Sequence, residues 1–590
     1  MNLDYWSSLG YYDRIATFAQ SLHHDKNRGK TMVGRAQLSQ GQQGLPSLPI
    51  GEASFANLRS DKRLYVDKTG LLEQLLADGR YFFLARPRRF GKSLTISTLR
   101  SMFKGEYQLF CGLGAEAWVC QRSNEQVPPI LSLDFSKFDS TSSAEALNHW
   151  LNRKLVTFAD AYHITLTPEA SSAETFDTLL ERLSTHIAPV VILIDEYDAP
   201  ILDNLNDFAK IEQFRKILRQ FYQVIKGSQD CIRFLFICGI SKFTKTGIFS
   251  AANNLIDISM HKKYSSLCGY TQEELETYFT LFIDDALKQK IAGSRQDLLD
   301  TIRNYYDGFS FDGETKVYNP FSLLNFFYEY KFLNFWYESG SVSFIENYFK
   351  DHHVESPEKY HRIKVKPSML APREIENANP ESFLYQAGYL TIVERTDNYI
   401  ILDYPNQEVL GAISEMYLTS IYQIENFVDR GKSLWQALRQ CDWETVLRIY
   451  NAAIASLPYH DFFEDHQRSL RGESFYRSLF LMLLRACGIQ AHGEMPTCRG
   501  RSDVVIENAK YIIVIEFKLA HRARDIPQKR REAEQQIQSS GYLEAYAHVS
   551  IPVHSAVFII DEEKRQIVTH SFGKLRPESR YLARQPEPSP

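Results

Sequence analysis

Three consecutive residues, Gly91, Lys92 and Ser93, stand where an apolar strand candidate, YFFLA at 81–85, gives way to LTISTLRSMF, which has helical spacing. Strand, tight turn and helix form the context in which backbone N–H groups cradle phosphates. A lysine there reaches the outer phosphates, and a serine hydroxyl binds Mg²⁺. The loop departs from the usual Gly-x4-Gly-Lys-Ser pattern: Arg86 takes the place of the first glycine, and Pro87, Arg88, Arg89 and Phe90 fill the turn. A side chain at 86 restricts close backbone approach, and three arginines add charge near the phosphates. Asp195 and Glu196 follow VVILI, so they are expected at the C-terminal end of a central strand, where ligands bind in open parallel sheets. Asp195 would hold Mg²⁺ through water, and Glu196 would orient or deprotonate the attacking water. Helix capping is the structural alternative for this pair and the preferred reading for Asp198. Ser241, after a fourth apolar strand, would contact the γ-phosphate or the attacking water, or else cap a turn; Lys242 and Lys245 are basic candidates beside it. The expected nucleotide segment runs from Arg86 to Leu94, with ATP and Mg²⁺ as its ligands.

A second constellation lies near the other end of the chain. Asp503, Glu516 and Lys518 form D-x12-E-x-K. Two residues apart on a strand, Glu516 and Lys518 point to one face. Two carboxylates bind Mg²⁺, with Mn²⁺ as a substitute, and present a water to a phosphodiester; a lysine lowers that water's pKa or offsets developing phosphate charge. Glu516 sits inside VIEFK, and a carboxylate among apolar neighbours is costly without a metal or a partner. A structural Glu516–Lys518 salt bridge is the alternative. Glu473, on a preceding helix, offers a third carboxylate, and Gln536, on a following one, would support the lysine or contact a nucleic-acid backbone. Arg522, Arg524, Lys529, Arg530 and Arg531 offer local phosphate contacts, or simply a solvated helix face.

The elements that must position these groups are legible as alternating patterns. Apolar strands at 81–85, 128–136, 190–198 and 232–241 alternate with helical segments such as 208–226, which predicts a parallel sheet covered on both faces. Residues 270–300 and 320–347 read as helices, 384–405 as a helix end with two alternating strands, and 407–460 as helices again. The last module reads as an amphipathic helix at 472–488, strands at 501–508 and 510–520, a polar helix at 524–540 and a strand at 555–561. The expected fold is therefore α/β throughout: a P-loop NTPase-type parallel-sheet domain with a helical extension, then a C-terminal restriction-endonuclease-like α/β domain. Its expected divisions are a leader and linker at 1–48, the P-loop domain at 49–265, the extension at 266–375, a connector at 376–460, the nuclease-like domain at 461–576 and a disordered tail at 577–590.

Bulk properties set the frame. At 590 residues the chain exceeds the roughly 250–300 residues of a single core. With 44% hydrophobic and 24% charged residues it has ordinary globular composition, and a net charge of −5 shifts any case for nucleic acid onto local patches. The eight cysteines form no CxxC pair and no Cys–His zinc spacing, which points to reduced thiols. The N-terminus lacks a basic stretch leading into an apolar run, and no apolar run approaches the roughly 20 residues that span a bilayer. A cytoplasmic protein without a membrane partner is expected.

Taken together, LPIGEASFANLR, YVDKTGLLEQLL, RPRRFGKSLT, VILIDEYDAP, FICGISKF, YYDGFSFDG, VYNPFSLLNFF and LYQAGYLTI, followed by GESFYRSLF, GRSDVVI and VIEFKLA, span roughly residues 48–560. This set resembles a bacterial family that joins an AAA-ATPase-like domain to a C-terminal PD-(D/E)XK nuclease-like domain. The resemblance implies that Lys92 and Ser93 are the phosphate and magnesium residues, that Asp195 and Glu196 are the acidic pair, and that an arginine at 86 is normal. It also implies that Glu473, Asp503, Glu516 and Lys518 occupy the nuclease core positions. The expected function is an ATP-binding and ATP-hydrolysing module coupled to Mg-dependent phosphodiester cleavage, with DNA ahead of RNA as the partner. The alternative is a nucleotide-sensing scaffold whose nuclease-like domain only binds nucleic acid or a protein. A homo-oligomer would let a neighbour donate an arginine to the ATP site; Arg86, Arg88 or Arg89 acting in cis would make that unnecessary.

Overall fold

The computed structural model describes residues 44–205, 207–242, 255–336, 346, 349, 357–370, 379–424, 427–457, 472–497, 500–507, 511–542, 546, 549 and 551–575. The expected leader up to residue 43, Lys245, the start of the last module near residue 460 and the tail lie outside these residues. The described chain forms two compact units, one built from residues up to 349 and from 360–409, the other from 357–359 and from 410 onward.

In the first unit the four apolar runs form strands β1 (Tyr81–Ala85), β2 (Ile130–Asp134), β3 (Val190–Asp195) and β4 (Ile232–Gly239), with a short β5 (Ile256–Asp257). They make one parallel sheet in the order β2-β3-β4-β1-β5. β3 is buried at every position, as a strand covered on both faces must be. Helices α1 (Ala144–Asp160), α2 (Ser172–His186) and α3 (Phe208–Gly227) supply one cover, through Leu147, Leu151, Phe176, Leu180, Phe214 and Phe221 against Leu133, Ile192, Ile194 and Ile237. Each of these helices starts at a capping side chain, Ser143, Ser171 or Asp207, that accepts from a first-turn N–H.

A second apolar cluster belongs to the expected helical extension. Helices Gln272–Tyr278, Thr280–Lys288, Arg295–Tyr306 and Pro320–Glu329 gather around Phe279, Phe282, Ile302, Phe326 and Phe327. The helix expected over 320–347 stops at Glu329, because Tyr330 takes a left-handed conformation, φ 50°. Its continuation at 337–345 lies outside the described residues. Helix Pro380–Ala387 ends at Gly388 and leads into the expected pair of strands, Thr391–Arg395 and Ile400–Asp403; a third, Ile363–Val365, joins them in a strand that the sequence pattern did not mark. The expected helical stretch after 407 is present as Gln407–Met416, Phe427–Gln440 and Trp443–Ala455.

The second unit holds a mixed five-stranded sheet in chain order: β6 (Ala491–Thr497), β7 (Gly500–Glu507), β8 (Ile512–Ala520), β9 (Val553–Asp561) and β10 (Gln566–Leu575). Only β8 and β9 run parallel. That pair needs a crossover, and helix α4 (Ile526–Ser539) provides it, packing Ala533 and Ile537 on Val514, Ala520 and Ile559. The two edge strands, β6 and β10, carry too many polar residues to stand out as strands. Helix α5 is the remaining element of this unit used below; it precedes the sheet in the chain and spans Glu473–Ala486. Among the described residues, no helix is long and apolar enough to cross a membrane.

Gly388 has φ 90°, and a Cβ built on it would lie 2.7 Å from Pro87 Cβ. Gly388→Ala should therefore destabilise the first unit by at least about 1–3 kcal/mol, from left-handed backbone strain and overlap together. Denaturant unfolding checks this; an unchanged midpoint would show that the close approach to Pro87 is not maintained.

Candidate active sites at the two strand edges

β1 ends at Ala85, and the helix that starts at Lys92 runs to Phe103. Between them the chain reverses through Arg89 at φ 68° and Gly91 at φ 92°. No side chain caps this helix, which leaves first-turn N–H groups of the kind that bind anions. Lys92 is buried, and its ammonium donates to the carbonyls of Arg86 and Pro87 at 3.1 and 3.0 Å. Ser93 and Leu94 are half-buried in the first turn.

The loop arginines separate by role. The Arg86 guanidinium is turned into the protein: it donates to the carbonyls of Ala85 (3.0 Å), Ser259 (2.6 Å) and Tyr264 (3.3 Å) and lies 3.9 Å from the Phe311 ring centre. Arg86 braces the loop from beneath, its guanidinium buried and engaged by backbone carbonyls. Arg88 is half-buried, and with Lys92 it opposes the rise that burial imposes on the Glu196 carboxyl. Arg89 is exposed and stacks 4.7 Å from the Phe321 ring. Phe90 packs edge-on against Phe309 and Phe311, and Trp336 Nε1 donates to the Arg88 carbonyl at 3.3 Å. The extension and the strand pair after it thus hold every residue from 86 to 90.

β3 delivers Asp195 and Glu196 beside this loop, one strand removed from β1. Asp195 Oδ1 accepts from Glu196 N and from the Cys238 thiol, both at 3.0 Å. Glu196 has φ 49°, a left-handed conformation uncommon for glutamate, and such outliers gather at functional sites. Burial raises its carboxyl, Asp195 and Asp198 add to the rise, and Lys92 and Arg88 oppose it. Asp198 corrects the capping expectation: it stands at the N-cap of Ala199–Leu202 without a side-chain cap bond. Its buried carboxylate instead accepts from Ile240 N (3.0 Å), Ser241 N (2.7 Å) and Ser241 Oγ (2.9 Å). The Ser241 hydroxyl is thereby committed to Asp198. Lys242 Nζ pairs with Asp257 at 3.2 Å, and its backbone N–H donates to Gln386, a contact across 144 residues that no local pattern announces.

In the second unit, β7 and β8 pair through Val504↔Ile515, and Asp503 and Glu516 are the next residues beyond that pair. Asp503 Oδ2 accepts from Phe517 N at 2.7 Å. Glu516 has no solvent exposure; its Oε1 accepts from Lys518 Nζ at 2.9 Å, and its Oε2 lies 3.3 Å from the Tyr542 hydroxyl. Glu473, first residue of α5, accepts from Leu519 N at 3.1 Å and stands 3.6 Å from Lys518 Nζ. Three carboxylates and one ammonium thus converge. Gln536 is half-buried, and its amide donates to the Tyr542 hydroxyl at 3.2 Å. The sequence reading assigned no role to Arg477, which pairs with Asp503 at 2.9 Å, nor to Tyr542. Arg477 stands four residues after Glu473 on one helix face, and that spacing was the available signal.

Electrostatics follow from this crowding. Burial pushes Glu516 up to about 7, the Asp503 charge adds to burial, and Lys518 opposes both. Burial also raises Glu473, again against Lys518. Lys518 loses solvation, yet the carboxylates outweigh that loss and hold its ammonium above the usual range. Carboxylate oxygens suit a hard cation such as Mg²⁺ or Mn²⁺, and clustered like charges raise one another until a cation joins them. Among the described residues, no three His, Cys, Asp or Glu side chains are already arranged around one ion position. Lys518 stands on Glu516 and near Glu473, and Arg477 stands on Asp503. The oxygen donors fit such an ion in kind.

Because the folded chain holds Glu516 at about 7, against an ordinary 4.5, its contribution to stability is complete below about 4.5 and is lost as pH rises through about 7. The metal-free chain should lose thermal stability across that window, and Glu516→Gln should remove this part of the pH dependence. Scanning calorimetry of both proteins checks it; identical pH profiles would contradict the burial argument.

Comparison with known proteins agrees with this division. Residues 49–249 match the family described as Predicted AAA-ATPase, and residues 471–570 match the PD-(D/E)XK nuclease superfamily. An uncharacterised protein from the vnfD 5′ region of Azotobacter chroococcum mcd 1 is 32% identical over 528 residues, covering 88% of this chain and 98% of that protein. No solved structure matches. With two matched domains in this order and a relative aligned along nearly its whole length, the chain belongs to the family of bacterial proteins that carry an N-terminal AAA-ATPase-like domain and a C-terminal PD-(D/E)XK-like domain.

Proposed function

We propose that the chain binds and slowly hydrolyses ATP at the Lys92 loop and cleaves a nucleic-acid phosphodiester, DNA before RNA, at the Asp503–Glu516–Lys518 cluster. The observation that carries this reading is the convergence of Glu473 and Glu516 on Lys518 beside Asp503, with Glu516 fully buried and raised to about 7. A purely structural ion pair would call for one carboxylate per cation, whereas Glu473, Asp503 and Glu516 share only Lys518 and Arg477 among them.

In the first site, Lys92 would exchange its two carbonyl partners for phosphate oxygens, and Ser93 and Asp195 would hold Mg²⁺. Glu196, raised by burial, is suited to orient or deprotonate water. In the second site Asp503 and Glu516 would hold the divalent ion, which supplies Lewis acidity and a bound water of lowered pKa. Lys518 would offset charge on the phosphate, Glu473 would keep the lysine in place, and Tyr542 would orient Glu516. ATP at the first site is proposed to gate cleavage at the second; where it does so by changing the affinity for nucleic acid, linkage requires nucleic acid to change ATP affinity by the same factor. One observation favours the scaffold alternative, which binds nucleic acid without cutting it: Lys518 and Arg477 already occupy the carboxylates.

The test combines single- and double-stranded DNA and RNA with Mg²⁺ or Mn²⁺, and with ATP, a non-hydrolysable analogue or no nucleotide. Lys518→Ala should slow cleavage by about 100-fold or more, Asp503→Ala and Glu516→Ala should abolish it, and Lys92→Ala should abolish phosphate release and the nucleotide effect. Cleavage that ignores nucleotide and Lys92→Ala would leave a nuclease and remove the gating. Binding with no cleavage under any condition would establish the scaffold.

A further inference from the structure

Arg477 bridges two carboxylates of different standing. Its Nη1 donates to Asp503 Oδ1 at 2.9 Å, and its Nη2 donates to Glu494 Oε1 at 2.6 Å. The Asp503 side chain is only 11% exposed, whereas that of Glu494 is 45% exposed. Asp503 Oδ2 is fixed by the backbone N–H of Phe517. Oδ1 carries no backbone donor, and a movable side chain occupies it.

Glu494 is built to stand beside that side chain. The ladder between β6 and β7 pairs Gly493 with Val504 and Met495 with Ser502, and Glu494, opposite Asp503, drops out of it. Its backbone has φ 49°, a conformation that costs a glutamate on the order of 1–3 kcal/mol. Its second oxygen accepts from Arg501 Nη1 at 2.7 Å. The chain Arg501–Glu494–Arg477–Asp503 thus runs from the surface to the buried cluster, alternating in charge at every step.

We propose that Arg477 is the resident counter-cation of Asp503, that a divalent ion must displace it to bind, and that Glu494 is the carboxylate that keeps the displaced guanidinium. This rests on the reading that Asp503 and Glu516 take such an ion. The physical argument is competition: a guanidinium and a divalent cation want the same oxygen, and two cations within a few ångströms in a half-buried site repel strongly. With Glu494 as a second, solvent-facing partner, Arg477 can leave Asp503 without being stranded as an unpaired charge. Arg477 accordingly tunes ion affinity, as outer partners of metal ligands do, and does so as a competitor. It is a positioning residue and touches no reacting atom.

The test measures Mn²⁺ binding by the full chain without nucleotide, from the paramagnetic resonance signal of the free ion. Asp503→Asn and Glu516→Gln should lose the site. Arg477→Met should bind about 10-fold more tightly than the native chain, and Glu494→Gln about threefold less tightly, because Arg477 then has only Asp503 to hold. In the Arg477→Met background, Glu494→Gln should have little further effect. If Arg477→Met fails to fold, as judged by circular dichroism, Arg477→Lys, which keeps the charge but cannot bridge both carboxylates, should tighten binding by a smaller factor. Unchanged or weaker binding in the Arg477 variants, with Asp503→Asn and Glu516→Gln still defective, would overturn the inference alone. Mn²⁺ binding undiminished in those two carboxylate variants would overturn the cation-site reading and this inference with it.

Discussion

A carboxylate without solvent has to be neutralised by something, and Glu516 imposes that requirement on the whole second unit. It sits on the central strand β8, flanked by Ile515 and Phe517, both fully buried. Ionised and alone it would be intolerable there. Lys518 supplies a cation from the same strand, and the Tyr542 hydroxyl, from beyond α4, lies 3.3 Å from Glu516 Oε2 while giving its one proton to the Arg501 carbonyl. Placing the Tyr542 hydroxyl requires Gln536 on that helix and the Arg501 carbonyl on β7. The crossover helix is thus tied to the cluster by hydrogen bonds as well as by Ala533 and Ile537 in the core. The same requirement makes the site responsive, since groups held together by opposite charge re-pair when a stronger cation arrives.

The first unit meets a related constraint by a different route. A loop proposed to bind phosphate has to present N–H groups outward, so something else must hold its shape from behind. Arg86 does this with three backbone carbonyls and an aromatic face, where a glycine at that position would have contributed none. Burial lowers its affinity for a proton without an acidic partner in direct contact, so carbonyl dipoles and the Phe311 ring carry the charge. Pro87, Arg88, Arg89 and Phe90 are each held by the aromatic-rich segment between Phe309 and Gly388. The loop and the extension are consequently one mechanical object, and a ligand that moves the loop would move aromatic packing with it.

Much of this was legible in the sequence where the signal is local. Apolar runs 5–8 residues long gave the parallel strands, because strands buried on both faces admit little else. The motif residues Lys92, Asp195, Asp503 and Glu516 followed from their local motifs and the elements that flank them. What escaped had its cause at long range. Arg86 read as phosphate charge because its acceptors, Ser259 and Tyr264, lie more than 170 residues away. Asp198 read as a cap, yet it serves the loop after β4. Glu494 carries no sequence sign of its left-handed backbone, and β6 and β10 are polar edge strands defined by their partners.

The second-unit cluster is proposed to be a cation site held shut by the protein's own charges. A crystal of the full chain grown with Mn²⁺ and measured at the manganese absorption edge tests it most directly. The account predicts an anomalous peak between Asp503 and Glu516, with Lys518 withdrawn from Glu516 Oε1 and Arg477 turned onto Glu494. Crystals that hold Mn²⁺ elsewhere, with no peak at this position and with both salt bridges intact, would contradict it.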